Sequence, residues 1–155
     1  MTFRLSRTTF PAPLGGESTI NQALRCALLA DRHFGLSDGI RGLLETTFGV
    51  VVMVADEPSL FETVDRMRVE LAVVDISLTR GGGLTIIRRL RDQFPDLKLI
   101  AISVHDEPSV GKAALQAGAD AFVPKRAIAT DLVAAVEAAL AGGPQARLEI
   151  IEKPS

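Results

Sequence analysis

The sequence predicts an α/β domain of the doubly wound kind: five parallel strands in the order 2-1-3-4-5 with a helix in every crossover, a (βα)5 fold. Short continuous apolar runs fall at 27–30, 50–55, 71–74, 97–102 and 121–123. They do not alternate apolar with polar, so both faces of each strand are expected to be covered, as in a parallel sheet held between helical layers. The runs begin about 21 to 26 residues apart, which leaves room for one helix and two short loops in each connection.

Residues 1–24 carry Pro11, Pro13, Gly15 and Gly16 among scattered Ser and Thr, with neither a strand nor a helix period, and predict a flexible N-terminal arm. After the first strand, Leu36, Ile40, Leu43 and Leu44 share one helical face. Leu60, Val64 and Met67 do the same in the second crossover, and Leu84, Ile87 and Leu90 in the third. A fourth helix is expected over 110–117 and a fifth over 130–141, the latter stopped by Gly142, Gly143 and Pro144. The domain is thus placed at 25–142, with a C-terminal tail over 143–155 in which 147–151 has the composition for one extra turn or strand. At 155 residues a second full domain does not fit.

The chain is 47% hydrophobic and 23% charged, enough for a packed core and incompatible with global disorder. Seventeen Lys and Arg against 19 Asp and Glu leave a net charge of -2, so there is no broad field for polyanions and direct DNA binding is not expected. Cys26, the single cysteine, excludes an internal disulfide and a cysteine-cluster metal site, and reads as a small buried apolar residue. No apolar run approaches the roughly 18 residues that span a bilayer, and the N-terminus lacks a signal-peptide core, so the expected location is cytoplasmic with no membrane partner.

In this topology ligands bind outside the carboxyl ends of strands 1 and 3, where the winding reverses. Those ends are Asp31 and Asp75; strand 4 ends at Ser103 and strand 5 leads to Lys125. Two carboxylates in one crevice repel unless a cation lies between them, and hard oxygen ligands suit Mg2+. Phosphoryl transfer to a carboxylate uses such a set, with Asp75 as nucleophile, Mg2+ and Lys125 offsetting phosphoryl charge, and Ser103 donating a hydrogen bond.

The strings Leu29-Ala-Asp-Arg-His33, Val73-Val-Asp-Ile-Ser77 with Gly83, Ile102-Ser103 and Gly118-Ala-Asp-Ala-Phe-Val-Pro-Lys125 occur in order at matching spacings. Over roughly 26–141 the chain resembles the receiver domain of bacterial two-component response regulators, a flavodoxin-like fold. Its wording is most similar to the branch that usually carries a LuxR-type helix-turn-helix output domain, which is not found here. The resemblance implies that Asp75 is the phosphoacceptor, Asp31 an acidic-pocket residue, Ser103 the switch hydroxyl, Phe122 the switch aromatic and Lys125 the phosphate-pairing lysine. It also implies that Ser77 offers its backbone carbonyl to the metal, and that Ser77 and His105 flank the pocket where side chains tune dephosphorylation. Val104 is bulkier than the small residue usual at its position. The implied partners are a sensor histidine kinase or phosphotransfer protein, and the helix 4, strand 5 and helix 5 face is a candidate homodimer or effector surface, because the fifth helix is apolar nearly all round.

The chain departs from that pattern at Arg32, which stands where the family has a second acid, usually the direct metal ligand. Two arrangements follow: the guanidinium takes the cation's place against Asp75, or it turns to solvent and Mg2+ is held by Asp31 and Asp75. Thr79 stands where proline is common, and Arg80-Gly81-Gly82-Gly83 reads as a flexible loop, since it lacks the Gly-x-x-x-x-Gly-Lys pattern of a nucleotide cradle. His33 and His105 lack metal-ligand spacing and read as loop or core residues; Arg88, Arg89 and Arg91 read as a solvated helix face. The leading expectation is a non-enzymatic signalling receiver in phosphorelay signal transduction, which belongs to transcription regulation in the branch it resembles. The alternative is a phosphorylation-independent pseudo-receiver with Arg32 replacing the metal. A small flavoprotein of the same fold is disfavoured, because the Ser/Thr-rich phosphate loop after strand 1 is missing and there is no Trp or Tyr to stack a flavin.

Overall fold

A computed structural model of the protein describes residues 25–142; the expected N-terminal arm and the C-terminal tail, including 147–151, lie outside the described residues. The elements run β1 (Cys26–Ala30), α1 (Phe34–Leu44), β2 (Val50–Val54), α2 (Glu57–Arg66), β3 (Val69–Asp75), α3 (Gly83–Gln93), β4 (Lys98–Ser103), α4 (Pro108–Ala117), β5 (Ala121–Pro124), a 3-10 turn (Lys125–Ala127) and α5 (Ile128–Ala141). All strand pairs are parallel, as expected from the apolar pattern, and the order is β2-β1-β3-β4-β5, as expected of a doubly wound sheet.

Side chains on a strand alternate between faces, and here both sets are apolar. Ala27, Leu29, Leu71, Val73, Ile100 and Ile102 pack with α1 and α5 through Ile40, Leu44, Leu132 and Val136. Their strand neighbours Leu28, Ala30, Ala72, Val74, Leu99 and Ala101 pack on the other face with α2, α3 and α4 through Leu60, Ile86, Ile87, Leu90 and Ala114. The central strands β1, β3 and β4 are therefore buried on both sides, which is what their continuous hydrophobicity requires.

Two strands differ from the sequence expectation for identifiable reasons. β2 is half-buried rather than covered, with Val50 40% exposed, because it is an edge strand with a neighbour on one side only. β3 begins two residues early: the β1–β3 register shifts between Cys26 and Ala27, taking in Glu70, whose carboxylate receives a bidentate pair of hydrogen bonds from Arg25 at 2.7 and 2.8 Å. Glu70 interrupts the apolar run, so the pattern alone stops at Leu71. Cys26 is a free, buried cysteine. Among the described residues no helix is long and apolar enough to cross a membrane.

The parallel register aligns the carboxyl ends of the strands. Ala30 pairs with Val74, Asp75 with Ile102 and Ser103 with Pro124, so Asp31, Asp75, Ser103 and Lys125 leave the sheet along one edge.

Candidate functional site

Asp31 follows β1 directly and its backbone N–H donates to the Val54 carbonyl at 3.0 Å, which extends the β1–β2 ladder by one bond and fixes the side chain over the sheet edge. Asp75 ends β3, and the Ile76 N–H donates to the Ile102 carbonyl at 3.0 Å to hold that strand end against β4. Both carboxylates are buried, at 2% and 1% exposure. Charges buried to this degree must be paired or hydrogen-bonded.

Lys125 supplies the pairing. Its Nζ lies 2.8 Å from Asp75 Oδ2 and 3.1 Å from Asp31 Oδ2, and the lysine is itself buried. Lys125 opens the 3-10 turn that follows Pro124 at the end of β5. Asp75 Oδ1 accepts two further bonds from Ser77, from its N–H at 2.9 Å and its Oγ–H at 2.8 Å. Burial alone would push the Asp75 carboxyl up, but the Lys125 ammonium and the two Ser77 donors outweigh it and hold Asp75 below the usual carboxylate range. Burial likewise acts to lower Lys125, and the Asp75 and Asp31 carboxylates reverse it, holding the ammonium above its ordinary value. Asp75 is therefore ionised and Lys125 protonated at neutral pH.

His33 completes the mouth of the pocket. Its N–H donates to Asp31 Oδ1 at 2.9 Å, and its Nδ1 lies 3.3 Å from the same oxygen and 3.9 Å from Asp75 Oδ2. Asp31, His33 and Asp75 can each offer one ligand atom, all within 4.8 Å of one another, so the cluster is able to coordinate a divalent ion. Asp31 Oδ2 is compatible with that fit: it is buried, and its close partner among the described residues is the Lys125 ammonium at 3.1 Å, which Asp75 shares. Two carboxylates carry one more negative charge than Lys125 neutralises, and hard oxygen donors suit a hard cation.

Arg32 does not stand against Asp75. It is exposed, and the ion pairs of the two carboxylates go to Lys125 and His33. The arrangement in which its guanidinium replaces the cation is thus not the one found. On a chain leaving a strand, consecutive side chains point to opposite sides, so a residue directly after inward-facing Asp31 turns to solvent and the next turns back. The same rule exposes what the sequence reading missed: His33, two residues from Asp31, shares its side of the chain. The spacing between the two histidines carries no signal; the informative partner of His33 is Asp31.

The other expected residues are placed as follows. Ser103 is buried at the strand end, and its Oγ accepts the His105 N–H at 2.9 Å, so the hydroxyl caps its own loop and makes no hydrogen bond to Asp75 or Lys125 among the described contacts. Val104 and His105 are exposed beside it, Val104 at 65%. Phe122 is half-buried and lies against α4, where a Cβ on Gly111 would come within 3.0 Å of its ring. The glycine-rich loop proves to be a close approach rather than a cradle: a Cβ on Gly83 would fall 1.7 Å from the Ile76 carbonyl oxygen, and Gly81 has a φ of 68°. The basic stretch on α3 divides. Arg89 pairs with Glu57 and lies over the Phe61 ring, and Arg91 bonds the Gly118, Pro95 and Leu97 carbonyls and Asp120, while Arg88 is exposed.

The sequence profile of the family described as "Response regulator receiver domain" matches residues 27–137. The chain belongs to the response-regulator receiver family. Among receiver-containing relatives, the response regulator UvrY of Escherichia coli is 30% identical over 119 residues, covering 74% of this chain and 54% of that protein. The transcriptional regulatory protein DegU of Brevibacillus brevis is 28% identical over 118 residues, covering 75% of this chain and 50% of that one. The chain therefore spans about half the length of the curated relatives it matches. Among solved receivers, the isolated REC domain of RcsB from Salmonella enterica serovar Typhimurium in the apo form is 28% identical with a TM-score of 0.69, covering 83% of this chain and 99% of that one. A LuxR-family two-component response regulator from Aurantimonas gives 27% and 0.68, covering 83% and 96%. The sheet order is thus that of a receiver-domain signalling module, a class not generally counted among enzymes, and the Asp31, His33, Asp75 cluster is consistent with its phosphoacceptor site.

Proposed function

We propose that residues 25–142 form a receiver that accepts a phosphoryl group on Asp75 from a sensor histidine kinase or phosphotransfer protein, and that the transfer switches a protein-interaction surface. The observation that carries this is a buried, ionised Asp75 at the carboxyl edge of the sheet, held by Lys125 and Ser77. A carboxylate oxygen of Asp75 attacks phosphorus; the O–P bond forms as the bond to the donor's nitrogen or oxygen breaks, and the donor leaves with the electron pair. Lys125, already at the carboxylate, offsets charge on the phosphoryl oxygens. A divalent cation such as Mg2+, held by Asp31, Asp75 and the Ser77 backbone carbonyl, would neutralise more of it.

Ser103 and Phe122 fit the switch. Ser103 Oγ accepts the His105 N–H and, among the described residues, donates to no acceptor, and Phe122 joins β5 to α4 at Gly111. A change at Asp75 drawing the Ser103 hydroxyl inward would move the loop after β4 and the start of α4. The α4–β5–α5 face is then the surface that changes, used for an effector protein or a second copy rather than for DNA. Ser77 and His105 are the residues whose side chains would tune loss of the phosphoryl group to water.

Intact mass after incubation with Mg2+ and acetyl phosphate tests the reading. A single phosphoryl adduct that disappears in Asp75→Ala is expected. No adduct in the parent but a clear one in Arg32→Asp would favour the phosphorylation-independent module instead, and no adduct in either would refute the phosphoacceptor role.

A further inference from the structure

Resting on the reading of the Asp75 pocket as a divalent-cation site, we propose that His33 takes the ligand position that Arg32 cannot fill, so that the pocket prefers an imidazole-accepting transition cation of the Mn2+ to Zn2+ series over Mg2+. Arg32 has no lone pair to offer and points to solvent. His33 lies on the inner side, with Nδ1 3.3 Å from Asp31 Oδ1 and 3.9 Å from Asp75 Oδ2. Ligands bound at about 2.1 Å to one octahedral cation stand roughly 3 Å apart when adjacent and about 4 Å when opposite. The three groups already stand at such separations, all within 4.8 Å.

The surroundings of Asp31 bear on the same point. Asp31 is 2% exposed, and the close partner of its Oδ2 among the described residues is the Lys125 ammonium at 3.1 Å. That ammonium is shared with Asp75 at 2.8 Å, so the two carboxylates keep lone pairs for a second cation. The charge count agrees: Asp31 and Asp75 against Lys125 leave one net negative charge, which a divalent cation answers without a further anionic side chain. His33 is 63% exposed at its side chain, so the third ligand sits at the open mouth, where a hydrated ion enters.

The donor set then decides the metal. Mg2+ binds oxygen, keeps its waters and gains little from imidazole, whereas affinity for mixed nitrogen and oxygen sites rises from Mn2+ towards Zn2+. Replacing a carboxylate by a neutral ring nitrogen removes a charge that Mg2+ relies on and adds a donor that the transition cations prefer. His33 also keeps its backbone bond to Asp31 Oδ1, so the ring is carried by the residue that it would share the ion with.

The test uses the full chain, stripped with EDTA and desalted, titrated separately with Mn2+ and Mg2+, with pulsed EPR on the Mn2+ form. The expected result is Mn2+ binding tighter than Mg2+ by about tenfold or more, with nitrogen coupling from a directly bound imidazole. Both features should vanish in His33→Ala and persist in His105→Ala, which removes the chain's other histidine. Parental Mn2+ preference in His33→Ala, or no nitrogen coupling in the parent, would overturn the assignment, and the spectrum of the parent decides even where a variant folds poorly. A phosphoryl adduct on Asp75 without nitrogen coupling sinks this inference alone. Nitrogen coupling without an adduct under Mn2+ or Mg2+ sinks the phosphoacceptor reading alone.

Discussion

Removing the Lys125 ammonium while keeping its packing, in Lys125→Met, tests the electrostatics of the pocket most directly. At an effective dielectric of 20 the attractions at 2.8 and 3.1 Å are each about 5 to 6 kcal/mol before desolvation is subtracted. The net effect of breaking a buried pair by deleting one partner is about 3–5 kcal/mol, because the remaining charge is buried and unanswered. Here two carboxylates remain, at 2% and 1% exposure. Urea denaturation in EDTA at pH 7.5 should show a loss of that order. The loss has a sign in pH. In the parent, Asp75 is held low, so its contribution is present above the unfolded value of about 3.9 and is lost as pH falls through the lower folded value. Lys125 is held high, so its contribution is present below about 10.4 and is lost as pH rises through the higher folded value. In Lys125→Met, Asp75 loses the cation that holds it low and its protonation moves upward, so the deficit is full at pH 7.5 and shrinks as the pH falls and that carboxyl takes up a proton. A cost below about 1 kcal/mol at pH 7.5, or one that does not shrink on acidification, would show that the pair is not coupled in the way argued.

Other outcomes follow from single contacts. Ser77→Ala removes the hydroxyl at 2.8 Å but keeps the N–H, so the Asp75 carboxyl should titrate higher than in the parent, still held by Lys125; a carbon-13 NMR titration reads it, and an unchanged midpoint refutes the role of the hydroxyl. Gly83→Ala drives a Cβ into the Ile76 carbonyl and should cost more than about 3 kcal/mol in denaturant melts. Gly82→Ala meets the Thr79 side chain at 3.3 Å and the Arg80 carbonyl oxygen at an ordinary 4.0 Å, and should cost less than about 1 kcal/mol; equal costs would contradict the close approach. Leu132→Ala, fully buried between α5 and the sheet, should lose about 2–5 kcal/mol by thermal or chemical denaturation, and a loss under 1 kcal/mol would mean that α5 is not docked as described.

The architecture, and the residues that line the carboxyl edge of the sheet, were legible in the sequence. Continuous apolar runs demand burial on both faces, and the switch point of a doubly wound sheet then places Asp31, Asp75, Ser103 and Lys125 at one edge without any view of their contacts. Elements where polarity interrupts the run were less legible, as at Glu70, whose carboxylate is answered by Arg25 from outside the strand. Side-chain direction around the pocket was decided by tertiary structure. Arg32 and His33 are adjacent in sequence, and which of them faces the carboxylates depends on the path of the chain as it leaves β1. Lys125 reaching both aspartates, Ser77 holding Asp75 from the same loop, and the Ser103 hydroxyl turned to its own backbone are likewise products of a fixed register. Apolar burial is a property of composition along the chain, whereas hydrogen-bond partners depend on angles and on distances of 3 Å or less between residues up to 50 positions apart.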